Sequence, residues 1–356
     1  MLNIPPQPSG WPVIGQDRPI GILRRSLRTG RLSHAYLFTG PDGIGKRTVA
    51  IALAMTVNCL GETPAGQPWP DVPCLLCPSC ARIMRGAHPD VSEMNLDIQA
   101  QLLGEGGKKG APSRELRIDV VREMQASIGL NPHSARRKVY IIGDADRLNE
   151  EASNCLLKTL EEPPDHSMLV LLAPDEDSVL PTISSRCVQL QFRPMSRGEV
   201  ASSLTSVWGA EEEPAETLAA LSGGRLGYAV GLLGNEHALA RRRSALEEAA
   251  ILTGAPVLDR VEAAAKYARR YTDARAELFD MLDEWETWWR DVMVVKVGAG
   301  DLAVSVDQLS SLNSIARRTP VSKAASAVRL IQQTRKQLLE NVNPRLALEA
   351  LTLGLP

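Results

Sequence analysis

Several things are missing from this chain of 356 residues. No apolar run approaches the ~18 residues that a membrane-spanning helix requires, so no membrane contact is expected. The opening Met1-Leu2-Asn3-Ile4-Pro5-Pro6 lacks the basic-then-apolar order of a secretory signal. Both absences predict a cytoplasmic protein. An excess of charge of one sign is also missing. Lys and Arg number 40 against 42 Asp and Glu, a net charge of −2. No global basic field exists to hold nucleic acid, so any DNA contact is expected to be local or shared with partners. No internal repeat is visible. In a reducing compartment the six cysteines are not expected to form disulfides.

The length predicts two or three domains. The first half alternates short β-rich runs with helical stretches, the pattern of a parallel sheet flanked by helices. The strand candidates are Tyr36–Thr39, Val91–Asn95, Lys138–Gly143, Met168–Ala173 and Cys187–Phe192. Helical segments are expected at Lys46–Asn58, Arg117–Ile128, Glu150–Leu160 and briefly near Val179–Ile183. A flexible loop is expected over Gly104–Gly110. After Arg193-Pro194 only helical periodicity remains. This gives three expected domains: a nucleotide-binding-like α/β domain over 1–194 with an inserted cysteine module at 59–80, a small helical unit over 195–233, and a longer all-α domain over 234–356.

What is present begins with a phosphate-binding loop that starts correctly and then departs from its pattern. Gly40-Pro41-Asp42-Gly43-Ile44-Gly45-Lys46 follows the apolar run Tyr36–Thr39. Gly40, Gly43 and Gly45 would let backbone amides converge on phosphate, and Lys46 would reach the terminal phosphates. The pattern then demands Ser or Thr, whose hydroxyl ligates magnesium, and Arg47 stands there instead. Thr48 comes one residue late, about 100° around the helix. The strand Val139–Ile142 leads to Asp144, as a magnesium-binding strand should. Phosphate-loop hydrolases also need a glutamate directly after it to activate water, and Ala145 has no proton acceptor. Gly40, Gly43, Gly45, Lys46, Thr48 and Asp144 thus form a degenerate nucleotide site, in which bound ATP and magnesium are doubtful. The alternative is a purely structural turn. Asp146 is expected to cap a helix.

Cys74, Cys77 and Cys80 have C-x-x-C-x-x-C spacing, and Cys59 lies across a Pro- and Gly-rich insert. Four thiolates within about 20 residues predict a closed, structural Cys₄ zinc site. An iron–sulfur cluster or unligated core cysteines are the alternatives. Cys155 and Cys187 fall in apolar patterns and are expected to be small core residues. Arg186, just before the last strand, reads as a solvated or ion-paired charge, or as an arginine finger reaching a phosphate on a neighbouring subunit. Arg24, Arg25, Arg28 and Arg31, and likewise Arg136-Arg137-Lys138, read as solvated faces. Leu278, Leu282, Trp285 and Trp289 share one helical face, with Trp288 nearby, and read as core.

These residues together resemble the AAA+ clamp-loader subunits of bacterial replication. The resemblance rests on Val13-Ile14-Gly15-Gln16, on Leu32–Phe38, on the cysteine cluster and on His88-Pro89-Asp90-Val91. It rests further on Asp144–Leu148, Asn154–Pro164, Ser185-Arg186-Cys187, Gly223–Ala229 and Asn341–Glu349. It implies an AAA+ domain, an all-α lid and an all-α C-terminal collar, with zinc on Cys59, Cys74, Cys77 and Cys80. The loss of motor residues at Arg47, Ala145 and Pro174 resembles the family's stator rather than its ATP-hydrolysing tau/gamma type. An active motor, or a zinc-containing DNA-binding scaffold, stays open as an alternative. For a stator, the resemblance implies that Arg186 acts in trans on a neighbour's ATP. The implied partners are tau/gamma and delta subunits in a pentameric ring, the sliding clamp, and primed DNA within the assembled complex.

Overall fold

The computed structural model describes residues 10–102, 115–340 and 342–356. The expected loop at 104–110, the opening hexapeptide and Asn341 lie outside the described residues. The chain divides into two compact units. One comprises the residues up to Ser196 with 206–208 and 225–228. The other comprises 197–205, 209–224 and 229–356.

The first unit is built on five parallel strands: β1 Ala35–Thr39, β2 Val91–Met94, β3 Lys138–Ile142, β4 Ser167–Ala173 and β5 Val188–Gln191. Their order in the sheet is β2-β3-β4-β1-β5. The three inner strands are buried along their whole length. Helices cover both faces of such a sheet, so these strands read as continuous apolar runs rather than as alternation. The edge strands β2 and β5 are partly exposed. One layer of the core packs Tyr36 and Phe38 of β1 against the helix Lys46–Val57 and Phe192; the other packs Leu37, Tyr140 and Ile142 against the helices Ile118–Ile128 and Glu150–Glu161.

Parallel strands place every strand-to-helix turn on one edge of the sheet and every helix-to-strand turn on the other. The phosphate loop leaves β1 at Gly40, and Asp144 follows β3, so both stand at the carboxyl edge. Arg186 precedes β5 and therefore stands at the amino edge. Val188 pairs in register with Tyr36, four residues before the loop. At about 3.3 Å per residue, this puts Arg186 well over 10 Å from the loop of its own chain.

Asp146 does not cap a helix. It lies in the short 3₁₀ turn Ala145–Arg147, ion-paired to Arg147 at 3.0 Å. The cap of the next helix is Asn149, whose Oδ1 accepts from Ala152 N–H at 2.8 Å. Asn149 has the extended backbone that a capping residue needs, and its side chain reaches the third amide.

In the second unit, Trp285, Trp288 and Trp289 are fully buried on the helix Arg275–Lys296, as the core reading expects. Trp285 donates its indole N–H to Ala245 O at 2.8 Å and meets Tyr267 edge-on at 5.4 Å between centroids. Buried Arg242 donates to both oxygens of Asp307 at 2.9 Å, and Asp291 accepts from the amides of Val304 and Ser305, so the segment between helices is fixed by charge. No helix among the described residues is long and apolar enough to cross a membrane.

Candidate functional site: a degenerate phosphate loop, a thiol cluster and an edge arginine

The loop's three glycines all have positive φ: 144° at Gly40, 76° at Gly43 and 105° at Gly45. At Gly40 an added Cβ would lie 2.7 Å from Phe192 O, and at Gly43 it would press on the backbone of Tyr228 at 3.0 Å. Both conformation and space therefore require glycine. Gly43 O accepts from Gly227 N–H at 2.8 Å, and the Arg225 guanidinium lies 4.4 Å from the Tyr228 ring centre. The segment 225–228, part of the run Gly223–Ala229 that helps to carry the resemblance, thus closes directly onto the loop. Gln16 holds the other flank, donating to Arg193 O at 2.8 Å and accepting from Arg193 N–H at 3.2 Å.

The loop's polar groups are engaged with one another. Lys46 is only 7% exposed, and its ammonium donates to Gly40 O and to Asp42 Oδ1, the latter at 3.2 Å. The amide of Gly40 donates to Pro174 O at 3.0 Å. Arg47 forms a bidentate pair with Glu93 on β2, with Nη2 to Oε2 at 2.6 Å. This bond raises the guanidinium's already high pKa. Thr48 is half-buried one position along the helix. Asp144, in the left-handed region with φ of 52°, accepts from Leu96 N–H at 3.0 Å. Burial raises its pKa, and Asp42 adds to the shift. Ala145 is 3% exposed and packs into the core. The sequence singled out Arg47 and Ala145 but carried no signal for Glu93, 46 residues away.

The four expected cysteines come together. The sulfurs of Cys59, Cys74, Cys77 and Cys80 all lie within 4.8 Å of one another, so the cluster could hold a metal ion. A tetrahedral site with metal–sulfur bonds of about 2.3 Å has sulfur–sulfur edges of about 3.8 Å, so the cluster needs only a small contraction. Backbone amides supply the surrounding shell. Gly61 and Cys74 N–H donate to Cys59 Sγ at 3.3 and 3.4 Å, and Leu60 and Cys80 N–H donate to Cys77 Sγ at 3.4 Å. Burial pushes the Cys77 thiol up, but the amides of Cys80 and Leu60 outweigh it and bring the group down to about 7. These donors suit thiolate ligands, and the donor set fits a closed structural ion. Bound there, a metal would staple the insert to the end of the helix Lys46–Val57.

The insert is also tied to the N-terminal helix Asp17–Thr29. Asp71 takes both Arg24, at 3.1 Å, and Arg28, while Trp11 donates its indole N–H to Asp71 O at 2.8 Å. Two of the four arginines expected to be solvated are therefore ion-paired. Arg136 and Arg137 flank the Trp69 ring at 5.8 and 5.7 Å, so they too are placed rather than free. Asp90 fixes their loop by accepting from the amides of His133, Ser134 and Ala135 at 2.7 to 2.9 Å.

At the amino edge, Arg186 follows the short helix Pro181–Ser184 and is 37% exposed. It donates to Thr182 O at 2.9 Å and to Glu161 Oε1 at 2.7 Å. Cys187 and Cys155 are half-buried against the core, and burial pushes the Cys187 thiol up to about 12.

A parallel five-stranded sheet with a phosphate loop after β1 and an acidic residue after β3 gives the chain an α/β fold of the phosphate-loop NTPase-like class. Within it, residues 15–196, just over half of the chain, match the family described as DNA polymerase III, delta subunit. Residues 271–355 match that described as DNA polymerase III, delta subunit, C terminal. The chain belongs to this family of DNA polymerase III clamp-loader subunits. In Bacillus subtilis (strain 168), DNA polymerase III subunit delta' is 29% identical over 361 residues, covering 96% of each chain. Subunit tau of the same organism is 26% identical over 358 residues, covering 95% of this chain, which spans 59% of tau. A solved gamma subunit-related protein from Thermotoga maritima is 18% identical, with a TM-score of 0.40 over 94% of this chain and 97% of that one.

Proposed function

We propose that this chain is a delta-prime-type stator of a bacterial DNA polymerase III clamp loader, and that Arg186 serves as an arginine finger on ATP held by a neighbouring subunit. The observation that carries this reading is the division of labour between the two sheet edges. At the carboxyl edge the chain's own loop is satisfied internally: Lys46 by Gly40 and Asp42, Arg47 by Glu93, with no base at Ala145. At the amino edge an arginine is exposed, too far from its own loop to serve it. A guanidinium there can neutralise charge developing on another chain's phosphoryl group.

The reading carries its partners with it: tau/gamma and delta subunits in a pentameric ring, the sliding clamp, primed DNA, and a cytoplasmic setting. It also carries a three-part chain, with a zinc-stapled AAA+ domain to 194, a lid over 195–233 and a collar from 234. Gly40, Gly43, Gly45, Lys46, Thr48 and Asp144 then keep the architecture of a nucleotide site without effective hydrolysis. The test is ATP turnover by the reconstituted complex with clamp and primed DNA. Arg186→Ala should lower turnover about a thousandfold per dependent site, at the low end of arginine-finger effects, while assembly persists. Unchanged turnover removes the finger assignment, and motor-rate hydrolysis by the isolated chain removes the stator reading.

A further inference from the structure

The run Asn154–Pro164 helps to mark the family resemblance, yet nothing so far gives its glutamates a task. Glu161 is the last residue of the helix Glu150–Glu161 and comes to the amino edge of the sheet, ahead of β4. There its Oε1 accepts from Arg186 Nη2 at 2.7 Å. On the other side, Nη1 donates to Thr182 O at 2.9 Å. The guanidinium is thus held at both terminal nitrogens, by two elements that meet only in the fold. An arginine has five N–H donors, and two are used here, which leaves three. The neighbouring Glu162 makes no such bond with Arg186.

Resting on the arginine-finger reading, we infer that Glu161 is a positioning residue for Arg186. A long side chain on a surface samples many rotamers, and each must be frozen before it can bind phosphate. Glu161 and Thr182 O fix the guanidinium plane in advance, so the three remaining donors meet an incoming phosphate without that loss. The carboxylate stays 52% exposed, so its pull on Arg186 is screened and does not withdraw the charge from the neighbour.

The experiment measures steady-state ATP turnover by the complete reconstituted complex, with clamp and primed DNA, for Arg186→Ala, Glu161→Ala, Glu161→Gln, Glu162→Gln and the Arg186→Ala/Glu161→Ala double variant. Melting temperature and gel filtration confirm fold and assembly. Glu161→Ala should lower kcat about tenfold with KM for ATP changed by less than about twofold, because orientation rather than ground-state binding is lost. Glu161→Gln keeps the acceptor and should recover to within about threefold of the parent. Glu162→Gln should match the parent. The double variant should be no slower than Arg186→Ala alone, since Glu161 acts only through that arginine. Should Glu161→Ala fail to assemble, Glu161→Asp, one methylene too short to reach, decides on the same criteria. The inference is overturned if Glu161→Ala equals or exceeds the parent while Arg186→Ala falls, or if the two losses multiply. If Arg186→Ala itself leaves turnover unchanged, the finger reading fails and this inference falls with it.

Discussion

Arg47 is where a magnesium-ligating hydroxyl belongs, and the ion pair it forms allows its effect to be divided into charge and missing ligand. A unit positive charge about 5 Å from a divalent cation would repel it by about 7 kcal/mol at an effective dielectric of about 20. Glu93 closes a bidentate pair with that charge, so most of the repulsion is cancelled. What remains is one absent oxygen ligand, worth about 1–2 kcal/mol, or about tenfold in Kd. Substituting both partners keeps the net charge constant and isolates this term. Arg47→Thr/Glu93→Gln should bind a fluorescent ATP analogue about tenfold more tightly than Arg47→Ala/Glu93→Gln with magnesium present, and equally in chelator. Folding should be little affected, because an exposed pair contributes only about 0–1 kcal/mol. Neither variant should hydrolyse ATP, since Ala145 offers no base. Equal magnesium-dependent affinities of the two double variants would refute the ligand explanation, and turnover by the threonine variant would refute the role given to Ala145.

Purified protein should contain one metal ion per chain by elemental analysis. Its removal by a strong chelator, or Cys80→Ser, should lower the melting temperature of the first unit, and added zinc should restore the chelated sample. Asp90→Ala should destabilise by about 3 kcal/mol in urea unfolding, because three amides lose a charged acceptor that is 3% exposed. Burial pushes the Asp90 pKa up, but those amides outweigh it and leave the group below its ordinary value. Its contribution is therefore complete above the unfolded-state pKa and disappears as pH falls through the depressed folded value, so the variant should lose part of the parent's acid-induced destabilisation. Trp289→Ala should remove about 3–5 kcal/mol from the second unit, whose core it helps to fill at full burial.

Much of this was legible before the fold. The inner strands stand out as apolar runs because both faces are covered, and each expected strand lies within a residue or so of the observed one. The cysteine cluster was legible because ligand geometry constrains spacing along the chain. The helices Pro78–Met84 and Leu96–Leu102 were missed, since seven residues make only two turns and give periodicity little to act on. Asp146 was misread because Asp and Asn are both good caps, and only the backbone decides which one has the extended conformation. The ion-pair partners were beyond reach for a different reason. Glu93 lies 46 residues from Arg47, Glu161 lies 25 from Arg186, and Asp71 lies 47 and 43 from Arg24 and Arg28. Carboxylates recur throughout the chain, and no local pattern marks the one that strand order brings close.

Strand order also bears on the direction in which such a subunit can act. In a parallel sheet the phosphate loop and an arginine preceding β5 occupy opposite edges, so one chain cannot use both on the same nucleotide. A motor subunit needs both edges, one to hold its own ATP and one to serve a neighbour. A chain that terminates the exchange needs only the second. Selection on that chain would leave the amino edge under constraint and release the carboxyl edge, where side chains formerly facing nucleotide would be free to find partners within the protein. Lys46 on Gly40 and Asp42, and Arg47 on Glu93, have that form. The thiol cluster follows the far end of the helix Lys46–Val57, where Asn58 bonds to the residues just before β3, and so lies away from the loop and would be indifferent to the loss. On this reasoning the retained glycines report packing against Phe192 and Tyr228 rather than room for phosphate. Gly43→Ala should therefore lower the melting temperature of the first unit, because a Cβ there would press on the backbone of Tyr228.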